Sequence, residues 1–296
     1  MRTGRRSRTA ESAAAARAGH YLRSEGALFS DPYAIHLTSP GLRRVVRNPV
    51  LFWLLERVLG EMGRMSVGQI LARARWSEDC LESACREGTN QYVVVGAGLD
   101  SFALRRNHLM KSLTVFELDH PATQRAKRER LAQLGIELPK ALEFVPIDFE
   151  CESLEEALAR SSFSPERRSF HSWMETVAYL TDEAIFDTLG SIARASAAGS
   201  ELVLDFACRM EDVRPEHRPA VEKLLRYTAR RGEPLIGFHE PADFVRRVTQ
   251  LGFELVELVP PEHHEPRFLA GGRYGVRTLP FSYFAHFRRR AAADGS

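Results

Sequence analysis

The middle of the chain alternates between short apolar runs and stretches with helical spacing. Five runs rich in β-branched residues predict strands, at residues 92–95, 113–118, 142–147, 169–174 and 201–205. Between them, helical spacing predicts helices at residues 100–110, 121–134, 153–159 and 182–195. Strands and helices that alternate at this interval are typical of a parallel sheet with helices on both faces. The predicted fold class is therefore α/β.

The two ends of the chain depart from this alternation. Before residue 91 the apolar residues show only helical spacing, at 10–23, 51–59 and 67–84, which predicts a helical cap over residues 10–90. Near the other end, residues 253–259 and 283–287 predict two strands without a clear helix between them. This pattern indicates an antiparallel hairpin at the sheet edge.

Three further segments complete the predicted organisation. Residues 1–9 are basic and polar without periodicity, so we expect a disordered tail. Residues 91–290 form the predicted α/β core, which makes one integrated domain with the cap. Residues 206–240 interrupt the rhythm of the core with an extra helix at 219–231, and we expect this insertion to act as a lid.

Composition and charge favour a small-molecule partner. The 41 Lys and Arg against 39 Asp and Glu leave a net charge of +2, too weak a field to indicate nucleic acid or an anionic membrane as the main partner. No apolar run reaches the roughly 18 residues that span a bilayer, and the N-terminus lacks an apolar signal core, so we expect a cytoplasmic protein. The four cysteines lack CxxC spacing, so we expect reduced thiols and no metal site.

The most informative segment is QYVVVGAGLD at residues 91–100. An apolar strand that runs into Gly96-Ala97-Gly98 lets the backbone approach a ligand closely and directs free N–H groups at it. A dinucleotide-binding loop would carry a third glycine where this chain has Ser101, and Asp100 would set a negative charge close to a pyrophosphate. The loop therefore indicates a nucleotide-like ligand but argues against NAD or FAD.

Acidic residues follow the next two predicted strands. Asp119 ends the second strand, where a carboxylate can accept hydrogen bonds from both ribose hydroxyls, although it also fits the N-cap of the following helix. Glu117 lies two residues earlier on the same face. After the third strand, Asp148 can bind the adenine amino group while Phe149 stacks on the ring. Together these features favour a nucleoside without a pyrophosphate, such as S-adenosylmethionine.

Six segments carry a resemblance to a known family. They are DPYA at 31–34, RARWSED at 73–79, VVVGAGLDS at 93–101, VFELDHP at 115–121, VPIDF at 145–149 and SWMETVAYLT at 172–181. In combination they resemble the leucine carboxyl methyltransferase family of class I S-adenosylmethionine-dependent methyltransferases, in particular its bacterial small-molecule branch. The resemblance runs from about Ala10 to Arg288. It implies a Rossmann-like sheet, mostly parallel with an antiparallel terminal hairpin, and an N-terminal helical cap.

The resemblance also implies roles for individual residues. Arg73 is expected to pair with the methionine carboxylate of the cofactor, since a fixed guanidinium suits bidentate capture of a carboxylate. Residues Gly96, Ala97 and Gly98 are expected to line the cofactor. The resemblance places Asp119 at the ribose and assigns the adenine to the pair that follows the third strand, Asp148 and Phe149.

Two departures from the family pattern affect the site. The family usually has Thr-Arg after the Asp of GAGLD, whereas this chain has Ser101-Phe102 and keeps Arg105 at the later basic position. The family often has Glu-Gly after the fourth strand, with five positions from Glu to Tyr, but Glu175 lies four positions before Tyr179. Glu175 is therefore a candidate cofactor contact, or it occupies the glycine position of the branch that reads Trp-Leu-Gly-Val. Tyr179 is a candidate wall of the substrate pocket or a core residue.

The predicted activity is O-methylation of a small-molecule carboxylate or hydroxyl in bacterial secondary metabolism. No catalytic residue is identified. A carboxylate acceptor needs no base near neutral pH, and the candidate bases for a hydroxyl are His171, His239, His263 and His264. We expect residues 10–65 and 213–240 to close over the site and set its specificity. A catalytically degenerate binding protein and an NAD-dependent dehydrogenase are the alternatives.

Overall fold

The computed structural model of the protein describes residues 8–149, 151–230, 232–270 and 274–291. The expected tail over residues 1–9 therefore lies largely outside the described residues, and the first helix begins at Arg8. Ahead of the first strand, the described chain is helical, as predicted. Its helices are α1 (Arg8–Ser24), α2 (Ala34–Leu37), α3 (Pro40–Arg47) and α4 (Pro49–Arg86).

The strands form one mostly parallel sheet. In the described ranges they are β1 (Gln91–Val95), β2 (Thr114–Asp119), β3 (Leu142–Pro146), β4 (Ser169–Trp173), β5 (Glu201–Cys208), β6 (Phe238–His239), β7 (Phe253–Val259) and β8 (Ser282–Arg289). Their order is β3-β2-β1-β4-β5-β8-β7, with β6 beside β5. Strands β1 to β6 pair in parallel, whereas β8 is antiparallel to both β5 and β7. The prediction of a parallel sheet with an antiparallel terminal hairpin is confirmed.

Helices cover both faces of the sheet. The remaining α-helices of the described chain are α5 (Phe102–Arg105), α6 (Pro121–Gln133), α7 (Leu154–Leu158), α8 (Asp182–Ala195), α9 (Arg218–Arg230), α10 (Pro241–Gln250) and α11 (His264–Phe268). Alternate residues of β1 show the two layers. Val93 and Val95 belong to a buried cluster with α7, α8 and α10, whereas Tyr92 and Val94 belong to one with α4. Burial of these two apolar clusters holds the layers together.

The cap and the insertion both lie near the carboxyl ends of the strands. Ala14 of α1 packs in a buried cluster with Leu99, which follows β1, and with Leu131 of α6. On the other side, Val221 and Leu224 of α9 pack against the last residues of β5. The N-terminal helix and the inserted helix therefore flank the edge of the sheet at which parallel strands bind ligands.

Some local predictions need correction. The predicted helix over 100–110 is wrong, because α5 ends at Arg105 and only a short 3-10 turn follows at Leu109–Lys111. Arg105 and Arg106 both reach Glu78 of α4, and this tertiary ion pairing outweighs helical propensity. The helices predicted at 51–59 and 67–84 are both present, as the two parts of α4 on either side of Gly60, whose φ and ψ are not helical.

The fifth strand is longer than predicted. Sequence spacing ends it at Asp205, but β5 continues to Cys208. Antiparallel pairing with β8 extends as far as Ala207 opposite Ser282, and β6 pairs with the same end. The two-residue β6 was not predicted, since a strand this short has too few residues to show a period.

Candidate functional site

The glycine loop after β1 folds back over β2. The N–H groups of Gly96 and Ala97 both donate to the carbonyl oxygen of Leu118, each at 2.9 Å. Gly96 and Gly98 have φ values of 72° and 52°, in the left-handed region that favours glycine. A Cβ at Gly98 would lie 3.1 Å from the Cβ of Ala10, so the start of α1 lies directly over the loop.

Asp119 joins this loop to β2. One carboxylate oxygen accepts the Gly98 N–H at 2.5 Å and the other accepts the His120 N–H at 2.6 Å. Burial raises the pKa of Asp119, while these two backbone hydrogen bonds oppose the shift. The N-cap of α6 is His120, whose ring accepts from Ala122 N. Asp119 thus lies at the end of β2 against the glycine loop, while the N-cap of α6 is His120.

Glu117 lies two residues before Asp119 in β2. Its side chain is buried and forms an ion pair with Lys127 of α6 at 2.5 Å. Burial raises the pKa of Glu117 to about 7, although Lys127 opposes the shift. The structure therefore brings Glu117 to α6 and not to the glycine loop.

Asp148 and Phe149 follow the neighbouring strand. The N–H of Ile147 donates to the carbonyl oxygen of Asp119 at 3.1 Å, so the two predicted contact points lie at the same edge of the sheet. The N–H of Asp148 donates to Glu152 at 3.3 Å. The side chain of Phe149 is 43% exposed, which leaves a ring face available for stacking.

A cluster around Arg73 lies across the strand ends from Asp119. We call Arg73, Glu175 and Asp205 the Arg73 cluster. The guanidinium of Arg73, on α4, forms an ion pair with Glu175 and lies 3.5 Å from Asp205. Burial alone would lower the pKa of Arg73, but Glu175 and Asp205 raise it above the ordinary arginine value. The expected anchor for a ligand carboxylate therefore already contacts two carboxylates of the protein.

The backbone at Glu175 has a conformation that glycine adopts more readily than other residues. Its φ is 71°, in the left-handed region that favours glycine. Its N–H donates to Asp205 at 2.6 Å, which holds this conformation. Between the two interpretations of the sequence, the backbone favours the one in which Glu175 stands at the glycine position of the family.

Tyr179 marks the place where the cap meets the insertion. It ends a short 3-10 turn, and its hydroxyl hydrogen-bonds Thr9 of α1. The Thr9 hydroxyl also donates to Glu233, after α9, at 3.0 Å. Burial raises the pKa of Tyr179 to about 12, and the Glu175 carboxylate adds to the shift. The predicted pocket wall is thus in contact with α1 and close to the Arg73 cluster.

A buried ionic network, not predicted from the sequence, fastens α1 to the loop after β1. We call Arg17, Asp31, Ser101, Arg105 and Glu78 the Asp31 network. Asp31 accepts from Arg17 at 2.8 Å and from the Ser101 hydroxyl at 2.6 Å, and Arg105 pairs with Glu78 at 2.5 Å. Arg17 also donates to the carbonyl oxygen of Leu99. The departure at Ser101 thus retains a hydroxyl that donates to a buried acid.

The four candidate bases lie in different parts of the fold. His171 lies in β4 against Phe163, and burial lowers its pKa to about 4. His264 stacks on Phe284, and burial lowers its pKa to about 4 as well. The other two differ in exposure: His239 is buried 3.6 Å from Asp182, whereas His263 is exposed. The geometry assigns none of them a role at the glycine loop.

The described ranges contain no group of three His, Cys, Asp or Glu side chains that could hold a metal ion, and their four cysteines are free thiols. No helix among these residues is both long enough and apolar enough to cross a bilayer.

The chain is similar in sequence to proteins that are named as methyltransferases. Two curated proteins share the name "Putative S-adenosyl-L-methionine-dependent methyltransferase". YktD of Bacillus subtilis is 28% identical over 216 residues, which cover 73% of this chain and 71% of the relative. The protein from Mycolicibacterium smegmatis is 28% identical over 219 residues, which cover 72% of each chain.

Solved structures show the same fold. A DUF574 family protein from Streptomyces avermitilis matches with a TM-score of 0.58 at 18% identity, over 93% of this chain and 96% of that one. The S-adenosylmethionine-dependent methyltransferase SibL matches with a TM-score of 0.50 at 14% identity, over 94% of this chain and 70% of that one. At these identities the likeness concerns the fold alone.

The family model named Leucine carboxyl methyltransferase matches residues 10–193, more than half of the chain. The match includes the glycine loop, Asp119 and Arg73, and it extends from the first residues of α1 to α8. The chain therefore belongs to the leucine carboxyl methyltransferase family of S-adenosylmethionine-dependent methyltransferases.

Proposed function

We propose that the protein binds S-adenosylmethionine at the carboxyl ends of β1, β2 and β3 and transfers its methyl group to an oxygen of a small-molecule acceptor. The observation that carries this proposal is the junction between the glycine loop and the acid after β2, where Gly98 N–H donates to Asp119. Open α/β sheets bind their ligands at this edge. We further propose that the protein works in the cytoplasm, in bacterial secondary metabolism.

The residues present suit most parts of this cofactor. The carboxylate of Asp119 can accept from ribose hydroxyls, and the exposed ring of Phe149 can stack on adenine beside Asp148. Gly96 and Gly98 have positive φ values, which let the loop turn tightly after β1. Arg73 provides the guanidinium for the methionine carboxylate.

Closure of the site would orient the acceptor and exclude water. When bound, S-adenosylmethionine supplies a methyl group that is made electrophilic by the sulfonium. Displacement at that methyl group requires an in-line acceptor oxygen and a dry site. The start of α1 and the segment after α9 meet at Tyr179, where they can close the site. With its pKa raised to about 12, Tyr179 stays protonated near neutral pH, and its hydroxyl is held by its hydrogen bond to Thr9 at this closure.

The acceptor is a carboxylate or a hydroxyl. A carboxylate is already ionised near neutral pH and requires no general base. This suits a site in which the buried histidines His171 and His264 are held neutral, away from the strand ends. A hydroxyl acceptor with a high pKa would gain more from a base.

Calorimetric titration tests the cofactor. Purified protein should bind S-adenosylmethionine and S-adenosylhomocysteine in the micromolar range and should not bind NAD. Asp119→Asn should weaken the binding of both adenosyl ligands, whereas Asp187→Asn, on the exposed side of α8, should leave it unchanged. Equal affinities of these two variants for both adenosyl ligands would refute the assignment of Asp119.

Product formation tests the transfer. The protein is incubated with methyl-labelled S-adenosylmethionine and a panel of small carboxylic acids and phenols. A labelled product that releases methanol in mild alkali is an ester, whereas a stable product is an ether. Binding of the adenosyl ligands without product from any acceptor would favour the alternative of a catalytically degenerate member.

A further inference from the structure

The Arg73 cluster places two carboxylates on the one guanidinium that is expected to bind the cofactor. The side chain of Arg73 is 9% exposed, that of Asp205 is 10% exposed and that of Glu175 is 27% exposed. Glu175 is therefore the partner on the solvent side, from which a ligand would arrive. A ligand carboxylate that approaches Arg73 meets Glu175 first.

The conformation of Glu175 shows that this placement has a cost in backbone strain. A glycine would adopt a φ of 71° readily, whereas a residue with a Cβ is disfavoured there. The Glu175 N–H is held by Asp205, and the Glu175 carboxylate is held by Arg73. Both ends of this strained residue are thus tied to the Arg73 cluster, which fixes the carboxylate on the guanidinium.

A third carboxylate in the Arg73 cluster would be repelled. Like charges within a few ångströms disfavour one another, most strongly where water is scarce. The cluster already holds one positive and two negative side chains. A ligand carboxylate can therefore form an ion pair with Arg73 only if it displaces Glu175.

We propose that Glu175 is an internal carboxylate that competes with the cofactor's own carboxylate for Arg73. Glu175 thereby sets the ligand preference of the site, because it removes the advantage of adenosyl ligands that carry a carboxylate over those that lack one. This inference rests on the proposed binding of adenosyl ligands.

A matched pair of ligands isolates the carboxylate. S-adenosylhomocysteine and 5′-(3-aminopropylthio)-5′-deoxyadenosine share the adenosine, the thioether and the ammonium, and differ only in the carboxylate. The native protein should bind the two with Kd values within about 3-fold of each other. A free buried guanidinium would instead favour the carboxylate by about 10- to 100-fold, the range of a charge-assisted hydrogen bond.

Two variants test the competition by calorimetry. Glu175→Gly removes the carboxylate and relieves the strained φ, whereas Glu175→Gln removes the charge and keeps the size of the side chain. Both variants should bind S-adenosylhomocysteine about 10- to 100-fold more tightly than the native protein does. Their Kd for the ligand without the carboxylate should stay within about 3-fold of the native value. The melting transition of each variant shows whether it is folded, and Glu175→Gln serves if the glycine variant unfolds.

Three results would overturn the inference. In the first, the native protein binds S-adenosylhomocysteine more than 10-fold more tightly than 5′-(3-aminopropylthio)-5′-deoxyadenosine. In the second, both variants bind S-adenosylhomocysteine with the same affinity as the native protein or more weakly. In either case Glu175 does not compete for Arg73, and the proposed function stands. If no adenosyl ligand binds any of the folded proteins, the proposed function itself fails and the inference fails with it.

Discussion

Replacement of Asp31 by asparagine should strongly destabilise the protein. The Asp31 side chain is fully buried, and one of its oxygens accepts from both Arg17 Nε at 2.8 Å and the Ser101 hydroxyl at 2.6 Å. The other oxygen accepts from Ala34 N at 2.9 Å. An asparagine can keep this backbone contact with its amide oxygen, but it then directs an NH₂ group at two donors.

The expected loss follows from the charge that is left behind. Arg17 and Arg105 lose their shared carboxylate in a buried place, and removal of one partner of a buried ion pair costs about 3–5 kcal/mol. Ser101→Ala removes one neutral donor to the same oxygen and should cost about 1 kcal/mol. The gap between the two variants measures the ionic part of the Asp31 network.

Urea denaturation of both variants at neutral pH gives the two free energies of unfolding. Burial alone would raise the pKa of Asp31, but Arg17 and Arg105 lower it below its ordinary value. Its stabilisation is therefore present above the ordinary carboxyl pKa and is lost as the pH falls through the lower folded value. An Asp31→Asn variant that loses no more stability than Ser101→Ala would refute the assignment of an ionic fastening to this network.

Three further outcomes are expected. Gly98→Ala should lose about 1–2 kcal/mol of stability and weaken adenosyl binding in calorimetry, whereas Gly135→Ala, with a φ of 65° but open space around it, should show only the backbone cost and normal binding. Phe149→Ala should weaken the binding of adenosyl ligands about 10-fold with little change in melting temperature, because 43% of the residue is already exposed in the free protein; an unchanged affinity would contradict the stacking role. The pKa of His171 falls to about 4 from 6.5 on folding, so stability should be lost as the pH falls from 6.5 to 4, and a His171→Leu variant should lose about 3 kcal/mol less over that range in urea denaturation.

The sequence predicted the sheet because its central strands are buried on both faces. Strand β1 is buried at every position, and helices of moderate length separate such runs, so pattern and connection length agree. The prediction of a helix over 100–110 was wrong because the conformation after Arg105 depends on ion pairs with Glu78 of α4. A contact between residues this far apart leaves no local period.

The site was predictable where it follows the order of the strands. The Gly96-Ala97-Gly98 loop, Asp119 and Asp148 come at successive strand ends, which parallel topology brings to one edge. The pairing of Arg73 with two carboxylates was not predictable, because Asp205 lies in β5 and Glu175 follows β4. A signal for Asp205 did exist, since an acid in the apolar run ELVLDFAC has to find a buried partner.

The two ionic clusters differ in how they can respond to a ligand. In the Asp31 network, arginines and carboxylates alternate and each charge has a buried partner, so the network stabilises one position of α1 and offers a ligand nothing to exchange. In the Arg73 cluster, two carboxylates share one guanidinium, and one of them is partly open to solvent. A ligand can replace the solvent-side carboxylate without leaving Arg73 unpaired. Changes in ligand charge should therefore act at the Arg73 cluster, while the Asp31 network holds the cap in place.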